Sequence, residues 1–284
     1  MNNQLPLVSS IITTYKREPS VVESAINSVE EQTYPNIEII VVDDNISYSR
    51  ESELINQMCK KHPKVRYIKQ NGNKGACAAR NLGILNSKGE FIGCLDDDDL
   101  WLPSKIECQI EHFTDESIGL VFSNGIRREI ESGDERPYNA MLEEGDTFVT
   151  FNDMLHVDRI GSTSNPLIRK QCFKNVGLFW EEQPARQDYE MWLRITQKYK
   201  AYGLGERLFV HTIHTGDQIS RNKKKAYIGF RNVYKRYHNE FKKDPKAENF
   251  ITENMLINRY KFSFELLYVG FRYVLTKGRI MQKD

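Results

Sequence analysis

The sequence predicts an α/β domain with a mostly parallel central sheet flanked by helices, followed by a helical C-terminal extension. Three observations carry this expectation. Short unbroken apolar runs alternate with amphipathic stretches over the first 122 residues. Two of those runs end directly in aspartate clusters, Asp43-Asp44 and Asp96 to Asp99. Beyond Ser220 the chain becomes basic and helically patterned. Strands that are buried on both faces read as continuous β-branched runs, which is the mark of a parallel sheet between helix layers.

The elements follow in order. Leu7–Thr13 is a short β-branched run and predicts a strand. Val21, Val22, Ala25, Ile26 and Val29 recur at helical spacing. The turn sequence Thr33-Tyr34-Pro35-Asn36 leads into Ile37–Val42, an apolar run expected to be a buried strand. An amphipathic helix over Glu51–Lys61, a strand over Val65–Lys69, a helix over Ala76–Asn86 and a strand over Phe91–Leu95 complete the alternation. After Pro103, Ile106, Ile110 and Phe113 share a helical face, and Ile118–Phe122 predicts another strand. Residues 131–144 are polar and contain Gly133 and Pro137, which predicts a loop. Met191, Trp192, Ile195 and Tyr199 form one stripe of a helix over 187–199.

The 284 residues suit one sizeable domain or a domain with an appendage. With 39% hydrophobic and 28% charged residues, the chain can bury a core and stay solvated. Charge nearly cancels at +1 but is unevenly spread: residues 222–284 hold 15 Lys/Arg against 6 Asp/Glu, leaving 25 against 33 before them. A basic arm of this kind can meet an anionic surface. The five cysteines are odd in number and none is spaced C-x-x-C, so neither a disulfide framework nor a zinc site is indicated, and a cytoplasmic setting is expected. No apolar run approaches the ~20 residues of a membrane helix.

Four adjacent carboxylates, Asp96 to Asp99, repel one another, and a divalent cation offsets such repulsion. Mg²⁺ or Mn²⁺ favours oxygen ligands, and the carboxyl end of a parallel strand is where α/β sheets place ligands. A solvated acidic turn explains the same run equally well. Asp43-Asp44 can accept hydrogen bonds from a base or ribose, although Asp and Asn are also ordinary turn formers. Asn73-Lys74-Gly75 opens a helix, where a glycine and the free amides favour a diphosphate, and Arg80 can add a charge-assisted bond. Asp188 falls at a helix start, where capping is the plain alternative. His211 and His214 offer imidazoles near the end of the patterned region, as metal ligands or as surface residues.

Taken in order, Ile11-Ile12-Thr13-Thr14-Tyr15, Gln32-Thr33-Tyr34-Pro35, Val42-Asp43-Asp44, Asn73-x-Gly75, Ala79-Arg80-Asn81, Leu95-Asp96-x-Asp98-Asp99, Gly177-x-Phe179 and Gln187-Asp188 resemble the family 2 glycosyltransferases. The likeness spans roughly residues 5–220. It implies a GT-A-type, Rossmann-like sheet, with a catalytic domain over 1–221 and the basic helical extension over 222–284. The donor half would be about 1–100 and the acceptor half about 101–221. It implies an inverting transfer from a nucleotide-sugar, a UDP-sugar by preference, to a glycan or lipid-linked glycan acceptor in bacterial surface polysaccharide synthesis. Thr13, Tyr15 and Asp44 match nucleoside contacts, with Asp44 on uracil, and Arg80 lies beside the base or diphosphate. Asp96 and Asp97 match the ribose and metal region, Asp98 the ligand of Mn²⁺ or Mg²⁺, His214 a second ligand, and Asp188 the catalytic base. Gln187 stands where many members carry an acid. In the basic tail, Tyr227–Tyr237 is expected to pack on the catalytic domain and Lys261–Arg279 to rest on the inner face of the plasma membrane; no nucleic-acid motif is present. The competing readings are a metal-dependent nucleotidyl or phosphoryl transferase and a non-catalytic sugar-nucleotide binder. No Walker loop supports the former.

Overall fold

A computed structural model describes residues 5–47, 49–138, 142, 145–214 and 222–259. The described chain forms two compact units. Of the described residues, those up to 154 and those in 158–181 and 188–214 form the first, and those in 155–157, 182–187 and 222–259 form the second.

The first unit is built on a ten-stranded sheet. Its parallel half joins β1 (Val8–Thr14), β2 (Ile37–Asp43), β3 (Val65–Lys69) and β4 (Phe91–Asp96) in the order β3-β2-β1-β4. The crossovers are α1 (Pro19–Glu30), α2 (Arg50–Cys59) and α3 (Ala76–Asn86). Each begins for a local reason. Pro19 occupies the first turn of α1, where its missing N–H costs nothing. Ser49 caps α2 through Ser52 N. Gly75 precedes α3 at φ 91°, a backbone region open to glycine at no steric cost. Ile12, Val22, Ile26, Val41, Ile55 and Leu95 meet in one fully buried core. On α3, a Cβ at Gly83 would lie 2.4 Å from Ile11, so the glycine lets the helix press against β1.

The other half continues β4-β9-β6-β10-β5. It comprises β5 (Leu100–Trp101), β6 (Ile118–Glu129), β7 (Glu135–Pro137), β8 (Thr147–Val149), β9 (Leu167–Arg169) and β10 (Lys200–Ile213). β9 runs antiparallel to both β4 and β6, and β10 runs parallel to β6 through several register shifts. The loop expected over 131–144 therefore contains a short strand, β7, paired with β6. The helix expected over 187–199 is α7 (Gln187–Thr196), and the chain turns into β10 at Lys200.

In the second unit, α8 (Lys223–Arg236) is capped by Asn222 and buries Ala226, Gly229, Phe230 and Val233. A Cβ at Gly229 would lie 2.3 Å from the Ala185 carbonyl, so this helix face needs glycine. α9 (His238–Lys243) and a helix over 245–259 follow. Asp244 bonds His156 at 2.7 Å, and Glu248 bonds Tyr234 at 2.9 Å. The Lys261–Arg279 segment lies outside the described residues. Among the described residues, no helix is long and apolar enough to cross a membrane.

Candidate active site

The strand order reverses between β1 and β4, and the candidate site collects at their carboxyl ends. Thr13 stands opposite Val42 on one side and Asp96 on the other. This is the crevice where open α/β sheets take ligands.

On β2, Asp43 and Asp44 have separate tasks. Asp43 is fully buried and accepts from Ser52 Oγ (2.5 Å), Tyr67 OH (2.6 Å) and the Asn45 amide (2.8 Å). Burial alone would raise its pKa, but these bonds outweigh it and hold the carboxylate below its ordinary range. Asp44 clamps the loop into α3. Its Oδ1 accepts from Lys74 N at 2.8 Å and from the Gln70 side chain, and its Oδ2 accepts from Gly75 N at 2.8 Å. A carboxylate offers about four acceptor sites, so capacity for a base imide remains. Open space surrounds the Cα of Gly75, as a backbone cradle for an anion requires. Tyr15, directly after β1, is 38% exposed.

Every aspartate of the acidic run is partnered, and Arg17 serves two of them. Asp96 takes Arg80 Nη2 at 2.5 Å and Thr163 Oγ1 at 3.2 Å. Asp97 takes Arg17 Nε at 3.0 Å. Asp98 Oδ2 takes Arg17 Nη2 at 2.8 Å and faces His214 Nε2 at 2.9 Å. Asp99, fully buried, accepts the Thr212 amide at 2.8 Å and lies 3.3 Å from His211 Nδ1. The repulsion that pointed to a cation is thus largely offset by the protein itself. It is not fully offset at two positions. Burial pushes Asp97 up to about 7 against the pull of Arg17. Asp98 is also raised, by burial and by its neighbours Asp99 and Asp96. His211 moves the other way: burial lowers its pKa, but the charge of Asp99 and its hydrogen bond prevail and raise it.

Asp98 and His214, 116 residues apart in sequence, are thus brought together. Of the two, the carboxylate is the ligand type that Mn²⁺ or Mg²⁺ favours, and the imidazole nitrogen faces the same oxygen at 2.9 Å. Among the described residues, no group of three or more His, Cys, Asp or Glu side chains could hold a metal ion. Such a pair fits a cation whose remaining ligands come from a diphosphate.

Arg80, expected beside the base or diphosphate, is engaged by the protein itself. It is buried, its guanidinium is committed to Asp96, and it lies 5.8 Å from the Phe179 ring. Asn81 next to it accepts Phe179 N and donates to Phe179 O, both at 2.9 Å, and also donates to Glu181. This explains why Ala79-Arg80-Asn81 and Gly177-x-Phe179 occur together.

Asp188 lies half-buried in the first turn of α7, and its Oδ1 accepts Tyr189 N at 2.8 Å. Its charge acts on Cys77 at the start of α3 and on Tyr138. Tyr138 also feels Asp99 and stacks edge-on against His211 at 5.2 Å. Asp188 and Asp99 thus both act on the same buried tyrosine.

Sequence reasoning missed Arg17, Thr163, Ser164, Gln70 and the separate task of Asp99. Ser164 Oγ accepts the Asp96 amide at 3.0 Å. The polar run Ser162-Thr163-Ser164-Asn165 after Gly161 was the available signal for two of them.

A parallel half-sheet with acidic residues and a loop–helix cradle at its carboxyl end places the chain among the α/β folds that take nucleotides there. The sequence pattern of glycosyl transferase family 2 matches residues 9–177, and the chain belongs to that family. This membership sets aside nucleotidyl or phosphoryl transfer. The chain is 29% identical over 236 residues to the putative teichuronic acid biosynthesis glycosyltransferase TuaG of Bacillus subtilis, covering 80% of this chain and 86% of that one. It is 31% identical over 242 residues to an Escherichia coli enzyme, UDP-Glc:alpha-D-GlcNAc-diphosphoundecaprenol beta-1,3-glucosyltransferase WfaP, covering 81% and 86%. Some relatives are longer: the chain spans 32% of a Rickettsia felis glycosyltransferase to which it is 31% identical. In fold it resembles S. aureus TarS 1–349 in complex with UDP-GlcNAc, with TM-score 0.68, 17% identity and coverage of 90% and 73%. It also resembles the Pyrobaculum calidifontis mannosyltransferase PcManGT in complex with GDP-Man and Mn²⁺, with TM-score 0.67, 17% identity and coverage of 96% and 81%. The fold is of the GT-A type.

Proposed function

We propose that the protein is an inverting, metal-dependent glycosyltransferase that moves a sugar from a UDP-sugar to a hydroxyl of a lipid-linked glycan in bacterial surface polysaccharide synthesis. The observation that carries this reading is the convergence of Asp98, just after β4, with His214, just after β10. The relatives named for teichuronic acid synthesis and for a diphosphoundecaprenol acceptor support the pathway and the acceptor. The TarS fragment, with its UDP-GlcNAc, supports the donor class.

On this reading, Thr13, Tyr15 and Asp44 receive the nucleoside, and Gly75 with the α3 amides receives the diphosphate. Arg80 and Thr163 hold Asp96 toward the ribose, while Asp97 lines the same pocket wall. Asp98 and His214 would hold Mn²⁺ or Mg²⁺, which supplies charge stabilisation for the departing nucleoside diphosphate. Asp188 accepts the acceptor hydroxyl's proton as that oxygen attacks the anomeric carbon from the face opposite the leaving group. One C–O bond forms as the other breaks, so the centre inverts and no protein nucleophile is needed.

The test is release of free UDP from a panel of UDP-sugars, with and without a diphosphoundecaprenol-linked acceptor. Asp188→Asn keeps the size of the side chain and its bond to Tyr189 N but cannot take a proton. It is expected to bind donor normally and to lose 10²–10⁴-fold in transfer, the usual range for a general base. Near-normal turnover in this variant removes Asp188 from its role. UDP release independent of acceptor removes the transferase reading.

A further inference from the structure

Arg17 fills a position that the metal reading reserves for a cation. Its Nε lies 3.0 Å from Asp97 Oδ1 and its Nη2 2.8 Å from Asp98 Oδ2. Its Nη1 lies 3.4 Å from His214 Nε2. Asp98 Oδ2 is also the atom that His214 faces at 2.9 Å. A divalent ion ligated by Asp98 and His214 would claim the oxygen that now bonds Arg17, and the like charges of ion and guanidinium would repel at contact distance. The backbone fixes Arg17 there. Lys16 adopts φ 50°, a left-handed conformation that few non-glycine residues take, and its amide is held by Asn45 Oδ1 at 2.7 Å. The chain thus folds back at the end of β1 and delivers the next side chain onto the acidic turn. That side chain is 26% exposed, so it has a way out.

We propose that Arg17 is the resident counter-cation of the acidic turn, and that a divalent ion enters only by displacing it, which ties metal entry to the arrival of a diphosphate. This rests on the reading of Asp98 and His214 as the metal ligands. An arginine is charged at every working pH and matches two carboxylates with its planar fork. Two protein ligands compete poorly against that arrangement. Two protein ligands with diphosphate oxygens compete well, because the diphosphate adds both negative charge and hard donors. Coupling of this kind is reciprocal: the nucleotide raises metal affinity by the same factor as the metal raises nucleotide affinity.

Mn²⁺ binding to the full chain, followed by the spectroscopic signal of free Mn²⁺ with and without UDP, tests the proposal. Wild type is expected to bind Mn²⁺ alone weakly and much more tightly with UDP. Arg17→Met is expected to bind Mn²⁺ alone about 10-fold tighter than wild type, within the usual coupling range of 5–150-fold, and to lose UDP enhancement by the same factor. Arg17→Lys, whose compact ammonium cannot span both carboxylates, is expected to shift in the same direction by less, and it decides the matter if the methionine variant does not fold. Wild-type Mn²⁺ affinity in both variants, with binding destroyed by Asp98→Asn, overturns the role of Arg17 and leaves the metal site standing. Unchanged Mn²⁺–UDP binding in Asp98→Asn overturns the metal site and the proposal together.

Discussion

Removing the guanidinium of Arg80 tests whether this residue acts on the donor directly or through Asp96. Arg80→Met keeps the aliphatic stem but strands a carboxylate that Arg80 now meets at 2.5 Å. Breaking a buried pair by deleting one partner costs about 3–5 kcal/mol. The Asp96 side chain is 31% exposed and retains Thr163, which places the cost near the lower limit, about 3 kcal/mol. Loss of the guanidinium beside Phe179 adds about 0.5–1 kcal/mol. Asp96→Asn should cost at least as much, because it leaves the guanidinium of the more deeply buried Arg80 without its counter-charge. Its Nε already lacks a hydrogen-bond partner among the described residues. The double variant should then be less destabilised than the sum of the singles by about 2–3 kcal/mol, the upper part of the range for contacting residues. Urea unfolding of the four proteins, with equal slopes, measures this cycle. Costs that add within about 0.5 kcal/mol would refute the pair as a structural unit. UDP affinity in the same set separates the roles: if Arg80 works through Asp96, Asp96→Asn and the double variant weaken UDP equally.

Lys105 is fully buried, bonds Gln109 at 2.6 Å and lies 4.4 Å from the Trp101 ring, and burial pushes its ammonium down to about 7. The unfolded chain therefore binds the extra proton up to about pH 10.4, and this site makes stability rise with pH between about 7 and 10, by at most about 1.4 kcal/mol per unit. Lys105→Met should accordingly melt higher than wild type at pH 6, with the gap closing by pH 10; a gap that does not change with pH counts against the shift. Truncation after Asn258 should leave UDP binding intact and abolish co-sedimentation with anionic liposomes at low salt, where each basic residue is worth about 1 kcal/mol. A full-length protein that ignores such liposomes contradicts the membrane reading of the tail.

The parallel half-sheet was legible because its strands are short and sequence-continuous, and Ile39–Val42 and Phe91–Leu95 carry no charged or polar side chain, although β3 (Val-Arg-Tyr-Ile-Lys) does. Ile37–Val42 can hardly be anything but an interior strand. The long strand β10 was not legible, and its sequence says why. Lys-Ala-Tyr-Gly-Leu-Gly-Glu-Arg interrupts any alternation with two glycines and an ion pair's worth of charge, and the ladder to β6 slips register between Leu204 and Arg207 and again before Val210. β5 and β9, two and three residues long, exist only because neighbouring strands offer them a ladder. At the site, Asp98 and His214 were reachable only through resemblance, since no local pattern joins residues so far apart. Arg17 carried no signal at all: one arginine after Tyr15-Lys16 reads as solvated until the left-handed turn at Lys16 is known.

Four identical side chains in a row also cannot be assigned by sequence, because the turn, not the residue type, decides where each one points. The turn is closed by Asp99 N donating to Asp96 O at 3.1 Å, and it sends the four carboxylates to α3, to the loop after β1, to His214 and to β10. The last of these has the widest consequence. Asp99 grips Thr212 N on β10, two residues before His214, while Asp98 beside it faces the His214 ring. The separation of the two candidate metal ligands is therefore constrained by a side-chain-to-backbone bond close to both. His211, on the same strand, adds a charge-assisted contact to Asp99 and carries Tyr138 against its other side. A carboxylate that never touches the ligand thus sets the spacing of those that would. It also does so across the sheet, linking the turn after β4 in the donor half to β10 in the half expected to bind the acceptor.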